Sequence, residues 1–306
     1  MIFNIEIEDA GKRLDLFLLE KLKHQLHISR SNLANQIPDL VTINGETVRK
    51  GKVLKVGDKV EVLIEEMQGN IEIEEDNVEA VNGPLTIVEE TSEYIVLNKQ
   101  GGVAVHPGYK NENNTIANYL KAYLEGKGEY DNTIKRAGIV HRLDKPVSGL
   151  LICAKNRTIQ LFLQKQFENH EVVKLYLAKI ENKELNSVKE LDQALTEFKN
   201  NEYSPTEEWE LVEGKIQRDG SNRLRMKFGE HGKDSISYIL PLENNEMLIN
   251  IKTGRMHQIR ATLKSKNLII EGDQLYGSRN PKENIELKQI FLRLRISENV
   301  YREWSL

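Results

Sequence analysis

The stretch His141 to Leu151 reads HRLDKPVSGLL. One carboxylate, Asp144, stands among His141, Arg142 and Lys145, directly before an apolar run. Neighbouring cations hold a carboxylate ionised. Pro146 biases Lys145 away from helix, and Ser148-Gly149 re-aims the chain into the apolar segment. Asp144 is therefore expected on a constrained loop at the mouth of a buried strand. An ionised, aimed carboxylate can act as nucleophile, as base, or as stabiliser of a positive sugar centre. A turn aspartate bonding its own backbone fits the same spacing, and on these residues alone that plainer reading stands ahead.

Other chemistries fit less well. His141, Asp144 and Ser148 lie too close in sequence for a hydrolase triad, and there is no G-x-S-x-G elbow. His106, His141 and His257 form no H-x-x-x-H pair, so no metal site is expected. The stretch GGVAVHPG lacks the Lys-Ser/Thr of a phosphate-binding loop, and no dinucleotide fingerprint precedes a helix. Cys153 is the one cysteine, which excludes an intramolecular disulfide or a cysteine-based zinc site.

The 306 residues suit about two domains. Charge is segregated along them although the net charge is only −4. Residues 10–60 carry ten Lys/Arg against five Asp/Glu. Residues 60–98 carry eleven acids and no Lys or Arg. Residues 135–157 carry six bases and Asp144 as their one acid, and residues 252–266 carry five bases and no acid. Each run alone suits a solvated face, but three basic zones with acidic spacers could converge on a polyanion. No run approaches the ~20 apolar residues of a membrane span. The N-terminus lacks the basic start and apolar core of a signal peptide, so a cytoplasmic protein away from membranes is expected; the expected state is a monomer.

The elements that must position these residues follow from periodicity. GKRLDLFLLEKL carries a helical stripe, and SRSNLANQI starts a second short helix. LVTINGETV is a hairpin turning at Asn44-Gly45, and VLKVGDKVEVLI is expected as a second strand pair around Gly57-Asp58. The acidic stretch after them reads as a linker with one edge strand. Beyond it, LTIVEE and YIVLNK, then GLLICAK, VVKLYLAKI, NRLRMKF, DSISYIL, MLINIK and IFLRLRI read as strands. NTIANYLKAYLEGK, NRTIQLFLQKQFENH and GRMHQIRATLKSK read as helices, the last starting near Thr253-Gly254. Residues 183–210 look polar, acidic and aperiodic. The expected class is α+β: a largely antiparallel mixed sheet with flanking helices, preceded by a small helix-helix-hairpin domain. The expected boundaries are 1–66, a linker at 67–83, and 84–306.

Two resemblances bear on function. RLDLFL, ISRSNLANQI and VTINGETVRKGKVLKVGDKVEV together resemble the S-four RNA-binding domain. That resemblance implies RNA contacts through Arg30, Arg49, Lys50 and Lys52, residues suited to phosphate. GIVHRLDKPVSGLLICAK resembles the signature of the RluA-type pseudouridine synthases. YIVLNKQGGVAVHPG, VVKLYLAKI, IKTGRMHQIRATL and IIEGDQLYG resemble further segments of the same family, in the same order. The resemblance implies an enzyme that isomerises uridine in RNA to pseudouridine without cofactor or metal. It implies Asp144 as the catalytic carboxylate and Arg142 as the residue that fills the gap left by the flipped uridine. Tyr176 would stack on the uracil, and Arg260 would pair with Asp144. No chemical role is implied for His141 or His257, and Arg255 is expected to shape its turn or touch phosphate.

Three features depart from the family pattern. Gln100 replaces the usual proline, IFLRLRI lacks a His-Ala pair, and residues 181–213 are longer and more acidic than usual. The first expected substrate is large-subunit ribosomal RNA, with transfer RNA as the alternative. A ribosome-assembly protein that binds RNA without catalysis, and a hydrolase that releases free uracil, are the competing functions.

Overall fold

The computed structural model describes residues 1–22, 30–69, 78–108, 113–181, 183–185, 187, 189–280 and 282–306. It divides into two compact units, Met1–Glu75 and Asp76–Leu306. The first contains β1 (Ile2–Asn4), α1 (Leu14–Leu22), α2 (Arg30–Leu40), β2 (Val41–Ile43), β3 (Glu46–Thr47), β4 (Lys59–Val62) and α3 (Ile64–Gly69). Leu14, Phe17, Leu18 and Leu22 lie buried along one face of α1, at helical spacing. They pack with Leu33 and Ile37 of α2 and with Val60 and Val62 of β4.

The four strands pair antiparallel in the order β1-β4-β2-β3. Asn44 and Gly45 both take positive φ, 54° and 83°, as a tight hairpin turn requires. The second strand pair expected around Gly57-Asp58 does not form. Lys55 N donates to the Asp58 carboxylate at 2.8 Å and closes a turn there. Val53 makes only an isolated bridge to Arg13, and β4 takes β1 as its partner instead. The linker expected at 67–83 falls partly outside the described residues, and its described start belongs to α3.

The second unit is built on a ten-stranded sheet. Its strands are β5 (Ile87–Glu90), β6 (Tyr94–Lys99), β7 (Ser148–Ala154), β8 (Val173–Lys179), β9 (Glu210–Arg218), β10 (Met226–Phe228), β11 (Lys233–Pro241), β12 (Glu246–Ile251), β13 (Leu287–Ser297) and β14 (Val300–Ser305). The order is β10-β9-β11-β12-β8-β13-β7-β6-β5, with β14 paired to β13. All pairings are antiparallel except β13 with β7. The expected α+β class holds. Its helices are α4 (Ile116–Gly126), α5 (Arg157–Glu168), α6 (Leu191–Asn200) and α7 (Gln258–Ser265).

Local chemistry sets the helix starts. Thr115 and Asn118 form a reciprocal capping box at α4, and the Asn156 side chain caps α5. Two expectations need correction. Residues 191–200, read as aperiodic, form α6, because Leu191, Ala194, Leu195 and Phe198 fall on one face and pack beneath β8 and β12. Helix α7 starts four residues later than expected. His257 takes a left-handed φ of 52° and interrupts the helical run.

Two glycines are required by close approach. Gly149 has φ 119°, and a Cβ there would lie 2.3 Å from Gln289 O on β13. Gly138 has φ 79°, and a Cβ there would lie 1.9 Å from Ala154 O on β7. These contacts let residues 138–147 lie against the sheet centre. Gly149→Ala therefore combines a disfavoured φ with a backbone clash, and it should destabilise by at least about 2 kcal/mol in urea unfolding. A loss below about 0.5 kcal/mol would show that the β7–β13 junction yields freely.

Candidate active site

The second unit carries a cleft of about 790 Å³. Its lining comes from the turn at 140–147, the end of α5 together with β8, the turn at 254–260 leading into α7, and single residues of β12 and β13. Asp144, Arg142, Tyr176 and Arg260 all line this cleft. They come from segments up to 118 residues apart in the chain.

Asp144 sits where the chain turns into β7. Val147 N donates to Asp144 O at 3.1 Å, so backbone groups close the turn. The carboxylate is therefore free of that duty and faces the cleft. Its Oδ2 lies 3.7 Å from Arg260 Nη1 and 3.9 Å from His257 Nε2. Lys99 anchors the same loop from behind. Its ammonium, almost wholly buried, donates to the carbonyls of Gln100, Val103 and Lys145 at 2.9, 2.8 and 3.2 Å. Gly102 N also donates to Lys145 O. Burial holds the Lys99 ammonium down at about 8, and the charge of Asp144 opposes that.

Arg260 has two carboxylates within reach and divides itself unequally. Its Nε and Nη2 donate to the two oxygens of Asp273, both at 2.7 Å, in a buried bidentate pair. The expected partner, Asp144, receives only the remaining Nη1, at a longer distance. The guanidinium also lies 4.8 Å from the Tyr276 ring centroid. Asp273 is itself held by the short helical turn it caps, accepting from Tyr276 N.

Tyr276 completes this network. Its hydroxyl donates to Met226 O at 3.0 Å and accepts from Met226 N at 2.8 Å. His257 Nδ1 lies 3.2 Å from the same oxygen. With the phenol proton engaged by Met226, Nδ1 is the donor of that pair. Burial lowers the proton affinity of His257, and Asp144 partly restores it. Gln258 stiffens the preceding turn: its Oε1 accepts from Thr253 Oγ1 and Arg255 N, and its Nε2 donates to Ile236 O and Ser237 Oγ.

Tyr176 lies on β8, opposite Ile249 of β12 and Gln289 of β13. It is buried at the cleft's floor, and burial together with the charge of Asp144 raises its phenol well above the ordinary range. Arg142 is exposed at the cleft, two residues before Asp144. His141 lines the same cleft but is engaged with the sheet and with α5. Its Nε2 accepts from Ile152 N at 3.0 Å, and its ring stacks on Phe167 at 4.5 Å.

The residues expected to bind RNA in the first unit stand apart from this cleft in the chain. Arg49, Lys50 and Lys52 share one exposed turn after β3. Lys50 O and Lys52 O accept from the first backbone amides of α1. Arg30 opens α2, and its side chain lies outside the described residues.

The residue reading missed Lys99, Asp273 and Tyr276. Asp273 and Tyr276 lie in IIEGDQLYG, a segment already singled out, and an aspartate after glycine at a turn was the available signal. Lys99 looked like an ordinary strand-end lysine, and nothing in its spacing marks three carbonyls as its partners.

Residues 93–265 match the family model described as RNA pseudouridylate synthase. The chain is 30% identical over 315 residues to "Ribosomal large subunit pseudouridine synthase D" of Borreliella burgdorferi, covering 97% of this chain and 86% of that protein. It is 31% identical to the protein of the same name in Haemophilus influenzae, covering 92% and 78%. Among solved structures, human RNA pseudouridylate synthase domain containing 1 superposes with a TM-score of 0.53 at 21% identity, covering 73% of this chain and 83% of that one. At that identity the superposition speaks for the fold.

His141 supplies a pH test. Burial pushes its imidazole down to about 3 from the ordinary 6.5, so the folded state holds it neutral while the unfolded chain protonates it. The unfolded state binds more protons between those values, and stability must fall as pH falls from about 6.5 toward 3. The slope due to this group is up to about 1.4 kcal/mol per pH unit. In His141→Gln, which keeps an acceptor for Ile152 N, the decline between pH 6.5 and 4.5 should be shallower. Parallel stability curves for the two proteins would refute the assignment.

Proposed function

This chain belongs to the RNA pseudouridylate synthase family, and on that premise we propose that it isomerises uridine in large-subunit ribosomal RNA, with Asp144 as the catalytic carboxylate. The observation that carries the assignment is the Asp144 side chain itself. It is free of its own turn, faces the cleft, and lies within 4 Å of two potential cations, Arg260 and His257. The names of the two bacterial relatives point to large-subunit ribosomal RNA as the substrate.

The reaction breaks the bond between uracil nitrogen and ribose, turns the base, and reattaches it through carbon. It consumes no second reactant, so this reading requires no cofactor and no metal. The reacting bond is shielded inside a stacked helix, so the uridine must leave its stack. Arg142, exposed beside Asp144, fills the vacated place. Tyr176 offers an aromatic face to the uracil, which keeps the detached base in the cleft. Arg260 sets a positive charge beside Asp144, while its fork on Asp273 stops it closing over the carboxylate. His257, held by Tyr276, approaches the same carboxylate oxygen as Arg260.

The first unit adds RNA affinity as an S-four-type module, through Arg49, Lys50, Lys52 and Arg30. The enzyme acts as a cytoplasmic monomer away from membranes. Among the described residues no helix is long and apolar enough to cross one.

Two measurements test the reading. Purified protein incubated with ribosomal RNA should form pseudouridine at a mappable position, and Asp144→Ala and Asp144→Asn should lose at least about 10³-fold in rate. Free uracil in the supernatant would instead indicate a hydrolase. Full activity of Asp144→Ala would remove Asp144 from the chemistry, and modification confined to transfer RNA would change the substrate. In the first unit, replacing Arg49, Lys50 and Lys52 together by Ser should weaken RNA binding. It should also flatten the dependence of log K on log salt, by about 2 to 3. An unchanged slope at low salt would exclude that turn from the RNA.

A further inference from the structure

The functional reading uses the Asp144 side of the cleft. Among the residues lining the cleft is a cation that this reading leaves idle. Lys174 is 7% exposed and lines the cleft. It precedes Tyr176 by two residues on β8, so the two side chains leave the same sheet face about 7 Å apart. Among the described residues the Lys174 ammonium has neither an ion-pair partner nor a hydrogen bond. It lies 5.9 Å from the Phe167 ring centroid.

Its charged surroundings are cationic. Burial holds its ammonium down at about 8, and the charge of Lys252 adds to that effect. Lys174 and Arg255 in turn add to burial in lowering the proton affinity of His170, which also lines the cleft. Arg255 is anchored through Nε to Asp234 O at 2.7 Å. A buried charge without a counterion is costly, and a second cation nearby increases the cost. An anion arriving from outside would relieve both. Resting on the uridine-isomerase reading, which brings RNA into this cleft, we propose that Lys174 and Arg255 bind a backbone phosphate bordering the nucleotide that enters it. The base on Tyr176 and the sugar at Asp144 would leave that nucleotide's phosphate to follow β8 toward Lys174. Lys174 would then be a substrate-binding residue that positions the sugar and takes no part in breaking the glycosidic bond.

The probe is an RNA stem-loop carrying the mapped uridine, synthesised with ordinary phosphates or with one uncharged methylphosphonate on the 5′ or the 3′ side of it. With wild-type enzyme, one of the two substitutions should lower kcat/KM about 10-fold. Lys174→Met should lower kcat/KM on unmodified RNA by a similar factor, mainly through KM, and should lose no more than about twofold further from that methylphosphonate. Lys174→Arg, which keeps a cation, should recover most of the loss. Two losses that multiply, or a Lys174→Met enzyme equal to wild type, would overturn the proposal. A purely structural lysine would give the first pattern, because its effect would not depend on the phosphate.

One readout needs no variant. The Lys174 ammonium, followed by NMR, should titrate at higher pH in complex with unmodified RNA, and the rise should vanish with the critical methylphosphonate. An ammonium indifferent to RNA would refute the contact even if Lys174→Met fails to fold. A chain that makes no pseudouridine in any RNA would fail the functional reading, and Lys174 would still be testable. On total ribosomal RNA, Lys174→Met should reduce the salt slope by about 0.7 to 0.9, and an equal slope would dismiss the phosphate site by itself.

Discussion

The site depends on one guanidinium shared unequally between two carboxylates. Arg260 is buried, and its cation would be expensive there without a partner. Asp273 meets that need with two short hydrogen bonds, and the Tyr276 ring covers the guanidinium. The pair fixes the plane of the guanidinium, so the one nitrogen left over points where Asp144 stands. Asp144 thus feels a positive charge at 3.7 Å without being locked into a short bidentate bond. A carboxylate approached in that way still has oxygens available to a substrate. Had the fork closed on Asp144 instead, the acid would have been a structural ion pair.

The rest of the second unit holds the two partners of this arrangement in place. Lys99 gathers three carbonyls from the turn after β6 and from the loop of Asp144, so one ammonium joins two segments 46 residues apart. Gln258 does the same with neutral groups for the turn that leads into α7. Gly149 lets β7 run hard against β13, which brings the Asp144 loop beside the strand next to Tyr176. Each of these is a buried polar or close-packed contact that leaves little freedom of position.

Much of this was legible in the sequence, for identifiable reasons. Strands such as GLLICAK and the capped helices at Thr115 and Asn156 follow from local pattern, and they appear where the pattern places them. The class of the second unit followed from the alternation of those elements. Asp144 was ambiguous alone, because a turn aspartate and a catalyst look the same over eleven residues. Motifs farther along the chain shifted that balance. The misreadings share a cause. Residues 191–200 carry their apolar stripe among many acids, and helix α7 is delayed by a left-handed histidine that no periodicity announces. The Arg260–Asp273 pair was hidden because local spacing does not say which of two acids a buried arginine will choose.

The sheet order has a consequence for how the protein is made. Strand β13 lies between β7, which follows Asp144, and β8, which bears Tyr176, yet it is synthesised well after both. Until residues 287–297 emerge, the growing chain holds two half-sheets with exposed inner edges, the kind of surface that pairs with strangers. The two sides of the cleft cannot be brought to their final separation before that strand inserts. A nascent chain therefore has every residue of its reacting centre synthesised, and no centre, until β13 has joined the sheet.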